Sequence, residues 1–472
     1  MLEISSDDVL NRLEMDNSWW VDSGKIPYVN DPKRDYFDKF FQLVTERKIK
    51  RATIMMGPRR IGKTVILYQT IGKLIEVGVD PQKILYVSMD TPVYVGLSLE
   101  KFATLFQQRN HLDNASETYV IYDEIQYLKN WEVHLKDLVD HYPHIKFIAS
   151  GSAAAALKLK SQESGAGRFT HFMLPPLTFA EYLHFSGIEE DLIIQDPLDP
   201  KKDETGDIDA LNQAFIDYIN HGGYPEVVIN PAIKSAGKRY IKEDIIDKVL
   251  LRDLPSLYGI NDIQEMNRLF TVLAYNTGNE VSPEELSQSS GVPKHLLQKY
   301  LDYLEAAFLI VRVAKINESG KHFKRQRQFK VYLTNPSMRA ALFKPVKDDD
   351  PAMGALAETA IFSQWFHSPE MDLIRYARWS SGVGGEVDIV KLGADLKPVW
   401  AYEIKWSNAY FEQPRKLKSL IKFTKTNKPE NISIGATTKT MSGEREVQGI
   451  TIRFFPCSLH CYQIGRRVTL NR

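Results

Sequence analysis

The chain has 472 residues, with 60 Lys plus Arg against 60 Asp plus Glu, 43% hydrophobic residues and 25% charged residues. This balance excludes a disordered or fibrous protein and any global attraction to nucleic acid, so such a contact must come from a local patch. No run of about 18 apolar residues occurs, and the N-terminus MLEISSDDVLNRLEMDNSWW lacks an apolar core, so we expect a cytoplasmic protein without membrane contact.

The length suggests about three domains. Cys457 and Cys461 lie close together with His460 between them, but no second pair completes a metal site, so they read as ordinary thiols. Residues 1–50 are predicted as a helical brace, with an apolar stripe of Tyr36, Phe37, Phe40, Phe41 and Val44 ahead of the basic RKIKR.

Ala52 to Met56 is an apolar, strand-like run, followed by Gly57-Pro58-Arg59-Arg60-Ile61-Gly62-Lys63-Thr64 and then by Val65, Ile66, Leu67, Ile71, Leu74 and Ile75 at helical spacing. With four residues between its glycines, the loop can turn its N–H groups inward around a phosphate while Lys63 reaches the β/γ oxygens and Thr64 holds Mg²⁺. This composition yields about 0.02 such matches by chance in a chain this long. The stretch from Gly57 to Val65 therefore predicts an ATP site.

A second strand is expected at Lys83 to Asp90, and a helix from Leu97 to Gln107. Thr118 to Glu124 is an apolar run ending in two carboxylates: Asp123 can hold the metal through its water shell, and Glu124 can polarise an attacking water. Ile145 to Ser152 is another strand, ending in hydroxyls, Ser150 and Ser152, where a γ-phosphate sensor would lie. Strands alternating with helices make a parallel sheet whose ligands gather at its carboxyl ends. Gly165 to Phe169 reads as a flexible loop. Its Arg168 is open between a finger that reaches a phosphate, in its own or a neighbouring chain, and a solvated loop arginine.

GPRRIGKT, VIYDEIQYL, IASGS, GRF and LPPLTFAEYL together resemble the bacterial and archaeal AAA-type ATPases that carry a restriction-endonuclease-like C-terminal domain. The resemblance runs from the P-loop to near the C-terminus. It implies a core like those of the archaeal origin-recognition (Orc-type) and STAND groups, followed by a helical lid and a winged helix. It also implies that Asp123 and Glu124 are the Walker B pair, that Ser150 or Ser152 is the sensor, and that Arg168 is a candidate finger. His221-Gly222-Gly223-Tyr224-Pro225-Glu226 is similar to the Gly-x-Pro element of STAND proteins, which places Pro225 near the nucleotide base.

Residues 191–207 are polar and rich in Pro and Asp, and read as a loop in the lid without chemistry. Residues 210–260 return to helical spacing. From Ser282 to Leu304 the pattern is helix, tight turn, helix, and two strands follow, at Phe308 to Ile316 and Gln328 to Leu333. Between Phe308 and Lys330 seven Lys or Arg face the single acid Glu318. Lys321, Lys324, Arg325 and Arg327 at the hairpin tip are the candidate contacts to DNA or RNA. Winged helices also serve as oligomer contacts and nucleotide-side lids.

Met353 to Trp365 is a helix bearing Glu358, Ile374 to Trp379 is strand-like, Asp388 lies in a hairpin strand, and Glu403 and Lys405 lie on the next. Alternate strand residues share a face, so Glu403 and Lys405 point together while Ile404 enters the core. With Asp388 beside them, two carboxylates can hold a hard divalent cation, Mg²⁺ or Mn²⁺, and the lysine can orient or deprotonate a water. Glu386-Val387-Asp388 and Glu403-Ile404-Lys405 resemble the PD-(D/E)xK nuclease core in order and spacing. The same patterns also occur on amphipathic surface strands, which leaves a non-cutting scaffold open. Residues 410–472 continue the sheet without a further motif.

The expected fold is α/β: a helical brace (1–50), a P-loop ATPase core with a parallel sheet (51–175), a helical lid (176–262), a winged helix (263–345) and a small mixed α/β restriction-endonuclease-like domain (346–472). The expected function is an ATP-hydrolysing protein, assembling as a nucleotide-dependent homo-oligomer, that controls a metal-dependent nuclease acting on DNA. The resemblance points to genome defence or mobile-element biology. The alternative is a STAND-like switch whose nuclease-shaped domain only binds DNA or a protein partner.

Overall fold

The computed structural model describes residues 5–113, 115–151, 167–255, 260, 262–321, 328–366, 368–380, 384–427 and 432–470. The chain divides into two compact units, Met1–Pro175 and Pro176–Arg472.

The first unit is built on a five-stranded, all-parallel sheet of β1 (Ala52–Met56), β2 (Ile84–Ser88), β3 (Thr118–Asp123), β4 (Ile145–Gly151) and β5 (Phe169–Met173), in the order β2-β3-β4-β1-β5. Every residue of β1, β3 and β4 is buried, the near-continuous apolar pattern of a sheet covered on both faces. Phe169, expected at the end of a loop, instead opens a strand that runs to Met173 and pairs along all of β1, because its bulky apolar residues find an open sheet edge.

The N-terminal segment folds onto this sheet through α1 (Ser6–Asp16) and α2 (Phe37–Thr45), which buries Phe37, Phe40 and Val44. It also covers the sheet edge at β2. Asn17 mimics a strand residue there, donating from Nδ2 to the Tyr86 carbonyl (2.9 Å) and accepting from the Tyr86 N–H (2.7 Å). The indoles of Trp19 and Trp20 donate to the Ile84 carbonyl at 3.2 and 2.8 Å. These bonds use backbone groups that an open edge would leave for another chain.

The second unit contains α6 (Phe179–Phe185), α7 (Ile208–His221), α8 (Ile263–Tyr275), α9 (Pro283–Ser290) and α10 (Lys294–Ala306) ahead of its main sheet strands. Ser282 and Glu285 form a capping box at the start of α9, and Gly291 ends the helix at φ 75°, a left-handed conformation that glycine adopts without a Cβ penalty. A nine-stranded mixed sheet follows the order β13-β14-β12-β11-β10-β9-β7-β8-β6. Its members are β6 (Glu280–Val281), β7 (Ile310–Ile316), β8 (Phe329–Leu333), β9 (Ile374–Trp379), β10 (Gly385–Leu392), β11 (Pro398–Glu403), β12 (Ser433–Thr438), β13 (Gly443–Val447) and β14 (Ile450–Pro456). The parallel pair β7–β9 joins the three-stranded part made by β6, β7 and β8 to the C-terminal strands as one sheet.

Helices α11 (Met353–Trp365), α12 (Lys418–Thr426) and α13 (Cys457–Leu470) complete the unit. One core is shared by Phe179, Phe215, Val313, Tyr332, Ala357, Ile389 and Cys461. The segments expected as lid, winged helix and nuclease-like domain thus bury side chains against one another. On the other side of the C-terminal strands, Val387, Val390, Ala401, Leu420, Phe423 and Ile434 form a second core with α12. The 191–207 loop is also part of this packing: Arg466 of α13 bonds the buried Asp203 carboxylate at 2.5 Å, and Gln463 donates to the Asp203 carbonyl at 2.9 Å. Cys457 and Cys461 are buried free thiols, and burial pushes the Cys457 thiol up to about 12.

Candidate functional sites: a P-loop and an acid–lysine centre

The P-loop joins β1 to α3 (Lys63–Glu76), with Arg60 at φ 63° and Gly62 at φ 91° making the left-handed turns that curl it. Gly57 is required by close approach, since a Cβ there would lie 2.1 Å from the Leu174 carbonyl oxygen. Buried Lys63 donates to the carbonyls of Gly57 (3.2 Å) and Pro58 (2.7 Å), which keeps its ammonium against the loop backbone. Thr64 donates to Asp123 Oδ2 at 2.7 Å. Because β4 lies between β1 and β3, Ser150 reaches the same carboxylate and donates to Asp123 Oδ1.

Two further residues, missed in the sequence, complete this arrangement. Tyr86 from β2 donates to Asp123 Oδ2 at 2.9 Å. Buried Arg34 spans from the Ile61 carbonyl to the Pro175 carbonyl, both at 2.9 Å, and so braces the P-loop from outside the motif. Only the buried strand position of Tyr86 and the lone arginine in an aromatic segment marked them. Glu124 follows Asp123 in a left-handed conformation (φ 53°), its carboxylate held by Gln126. Burial pushes the Glu124 carboxyl up against the pull of Lys63, which brings a carboxylate toward the range of a general base.

These residues fit a magnesium nucleotide. The loop allows no Cβ at Gly57, and Thr64 and Asp123 are hard-oxygen groups in direct contact at the sheet's carboxyl edge. Pro58, Arg59 and Val65 lie within the same loop and first helical turn. Arg168 does not belong to this site in its own chain. It immediately precedes β5 and its carbonyl accepts from the Ala52 N–H, so it lies at the amino end of the sheet, about 16 Å of strand from the P-loop, and its side chain pairs with Asp140. The reason is the parallel β1–β5 pairing, which sets the two segments at opposite strand ends. Ser152 lies outside the described residues.

In the second unit, Pro225 opens a short helix, Pro225–Ile229. Tight packing explains the glycines before it. A Cβ on Gly222 would meet the Tyr218 ring at 2.1 Å, and one on Gly223 (φ 100°) would meet the Asn335 side chain at 2.4 Å.

The C-terminal constellation gathers residues from one helix and three strands, and Lys405, expected on the last of these, lies just past its end at Glu403. Lys405 donates to Asp388 Oδ2 (3.0 Å) and Glu403 Oε2 (2.6 Å), and the Ile404 N–H also donates to Asp388 Oδ2 (2.8 Å). On the other side of Asp388 is Lys330, a β8 residue that sequence reasoning counted only as part of a basic hairpin. Its buried ammonium lies 2.8 Å from Glu358, 2.7 Å from Glu386 and 3.9 Å from Asp388. Tyr332 donates to Glu358 at 2.5 Å. Burial opposes the charge on Asp388, yet Lys405, Lys330 and the Ile404 N–H hold its carboxyl down at about 2. Burial and the neighbouring Asp388 push Glu403 well up, and burial raises Glu358. The two lysines are pushed up by the carboxylates around them, against burial.

In this inner cluster four carboxylates face two ammoniums, with Arg378 sharing Glu386 at 3.3 Å. The excess acid and the hard-oxygen donors fit a divalent cation in charge and donor type. Lys405 stands between Asp388 and Glu403, however, and among the described residues no group of three or more His, Cys, Asp or Glu forms a ready cage.

The expected basic hairpin is less basic than its sequence. Arg312 pairs with Asp302 (2.6 Å) and Glu305, Lys315 with Glu280 (3.3 Å), and Lys330 with the acidic cluster. Folding brings these acids in from outside the hairpin. Lys321 closes a tight turn, its N–H donating to Asn317 Oδ1 at 2.9 Å. Lys324, Arg325 and Arg327 lie outside the described residues.

Residues 49–183 match the family model of an AAA domain, and residues 212–349 match a domain of unknown function, DUF8612. An uncharacterised protein of Haemophilus influenzae is 26% identical over 66% of this chain and 74% of its own length. Uncharacterised protein MJ1637 of Methanocaldococcus jannaschii is 25% identical over 70% of each. Solved structures with partial likeness include AMPPCP-bound DnaA from Aquifex aeolicus (11% identity, 60% of this chain and 91% of that one, TM-score 0.30). Thermotoga maritima RuvB is another (15% identity, 66% and 90%, TM-score 0.25). Among the described residues no helix is long and apolar enough to cross a membrane. With the AAA match lying on the parallel sheet and its P-loop, the first unit is an AAA-type P-loop ATPase core.

Proposed function

We propose that the chain is an ATP-hydrolysing protein whose nucleotide cycle controls the acid–lysine centre of its second unit, and that this centre cuts DNA phosphodiesters. The single observation that carries the second half is the convergence of Asp388, Glu403 and Lys405 within 3.0 Å, with Glu358 joined to them through Lys330. Asp388, Glu403 and Lys405 also stand in the order and spacing that resemble the PD-(D/E)xK core.

In the ATPase, Lys63 and the loop N–H groups neutralise phosphate charge, Thr64 and Asp123 would hold Mg²⁺, and Glu124 accepts the proton of the attacking water. At the second centre Asp388 and Glu403 would hold a divalent cation, which when bound supplies charge stabilisation at a scissile phosphate. Lys405 orients the water, and Lys330 fixes Glu358 and Glu386 beside Asp388. The helix–turn–helix and hairpin of residues 263–333 read as a winged helix, with Lys321, Lys324, Arg325 and Arg327 as its DNA contacts. A homo-oligomer in which Arg168 reaches a neighbouring chain's nucleotide belongs to the same reading, as does Pro225 near the base.

The second reading is a nucleotide switch whose nuclease-shaped domain only binds. It is favoured by the two lysines already matched to the carboxylates. Plasmid, linear and single-stranded DNA incubated with Mg²⁺ or Mn²⁺, with and without ATP, separates the two. Cleavage by the wild type that is absent in a matched Asp388→Ala preparation supports the nuclease. No cleavage under any condition leaves the switch.

A further inference from the structure

A cavity of about 960 Å³ opens in the second unit behind the strands that carry the acid–lysine centre. Ile389 and Tyr402 line it, while their chain neighbours Asp388 and Glu403 face the opposite side of β10 and β11 by strand alternation. Its size is at the upper end of small-molecule sites, about 300–1,000 Å³.

The walls are flat. The His460 ring lies nearly parallel to Tyr402 (centroids 5.4 Å, 15°) and to Phe455 (5.3 Å, 16°), and Trp400 meets Tyr402 edge-on at 5.2 Å. Aromatic faces grouped in this way recognise another ring by offset or edge contact, as they recognise each other.

The charges at the cavity are not equivalent. Lys391 pairs with Glu370, and Arg453 pairs with Glu444 at 2.9 Å, so both cations are already matched. Arg467, projecting from α13, makes no side-chain hydrogen bond or ion pair among the described residues. Its guanidinium lies over the Trp365 ring, 5.1 Å from the centroid. A guanidinium held by an aromatic face at the wall of a cavity keeps its forked donors for a planar or tetrahedral anion.

We propose that this cavity binds a small organic anion with a flat ring, the ring against the Tyr402–His460–Phe455 wall and Trp400, the acid group on Arg467. Nucleoside monophosphates and aryl carboxylates share this chemistry. The site is independent of the P-loop and does not require that the acid–lysine centre cut DNA.

The test is calorimetric titration of the full chain with its P-loop already filled by Mg²⁺ and a non-hydrolysable ATP analogue. One arm uses AMP, GMP, CMP and UMP, and the other uses indole-3-carboxylate and benzoate. Binding tighter than about 1 mM in at least one arm is expected. Arg467→Gln should weaken it about tenfold or more. Ser433→Phe, at an exposed β12 position lining the cavity, should block it by filling space without changing charge. The two arms show which acid group is preferred. The proposal is overturned if neither arm binds in the wild type, or if binding survives both substitutions. Should Arg467→Gln fail to fold, Ser433→Phe decides the matter alone.

Discussion

The two units handle buried lysines in opposite ways. In the first, Lys146 donates, among the described residues, only to carbonyls, of Glu46 (3.0 Å) and Arg51 (3.2 Å), and burial with nearby Arg47 lowers its ammonium to about 8. Lys63 donates to the backbone carbonyls of Gly57 and Pro58, with the Glu124 carboxylate near enough to feel its charge. In the second, Lys330 is buried and Lys405 half-buried among carboxylates, which push both well up. A cation that donates to backbone carbonyls can exchange them for an incoming phosphate. A cation matched by carboxylates is part of the fold, and its removal leaves unpaired charge. The first arrangement suits a binding site and the second a centre held in one geometry.

The sharpest way to break this contrast is at the P-loop. Lys63→Ala should reduce ATP turnover by about a hundredfold or more, measured as phosphate release, and lose nucleotide affinity by calorimetry. Glu124→Gln should bind ATP like the wild type yet turn over about 10²-fold slower or more. If both variants hydrolyse normally, Lys63 is not an ATP ligand. At the second centre, Asp388→Ala or Lys405→Ala should lose DNA cleavage while ATP turnover stays within about twofold, since neither belongs to the first unit.

Stability separates the lysines next. Lys330→Met leaves Glu358, Glu386 and Asp388 without their shared cation and should cost about 3–5 kcal/mol in denaturant unfolding at pH 7. A cost below about 1 kcal/mol would place the ammonium in solvent instead.

The smallest effect is expected at Lys146, where the sign reverses. Its folded-state value of about 8 lies below the unfolded value near 10.4, so the unfolded chain binds more protons between those limits. The wild type should therefore gain stability relative to Lys146→Met as pH rises from 8 to 10, by about 1.4 kcal/mol per unit at most. A flat difference between the two proteins across that range would show that Lys146 is paired or hydrated.

The P-loop site was legible because it is local. Loop, helix start and the Asp123-Glu124 strand end are each contiguous, and the backbone geometry of a glycine loop depends on few distant contacts. The same locality made β1, β3, β4 and α11 readable to within a residue or so, as runs of apolar residues or a helical pattern. β5 was not, because Phe169–Met173 becomes a strand only through the open edge of β1. The same β1–β5 pairing sets Arg168 at the amino end of the sheet, which leaves the finger in a neighbouring chain and the solvated arginine of the alternatives that its sequence offered.

The sequence by itself determined the nucleotide chemistry and named Asp388, Glu403 and Lys405 as partners, since period-two alternation and short spacing are properties of a strand alone. Only the tertiary structure decided what neutralises them. Lys330 is 58 positions from Asp388 and reaches it because β7 pairs with β9 and carries β8 into the same sheet. Packing also matched Arg312 with Asp302 and Glu305 of the preceding helix and Lys315 with Glu280 of β6, charges that the hairpin's own sequence left unpaired. Burial makes such matching obligatory, because an ammonium out of water needs carboxylates or carbonyls wherever in the chain they come from.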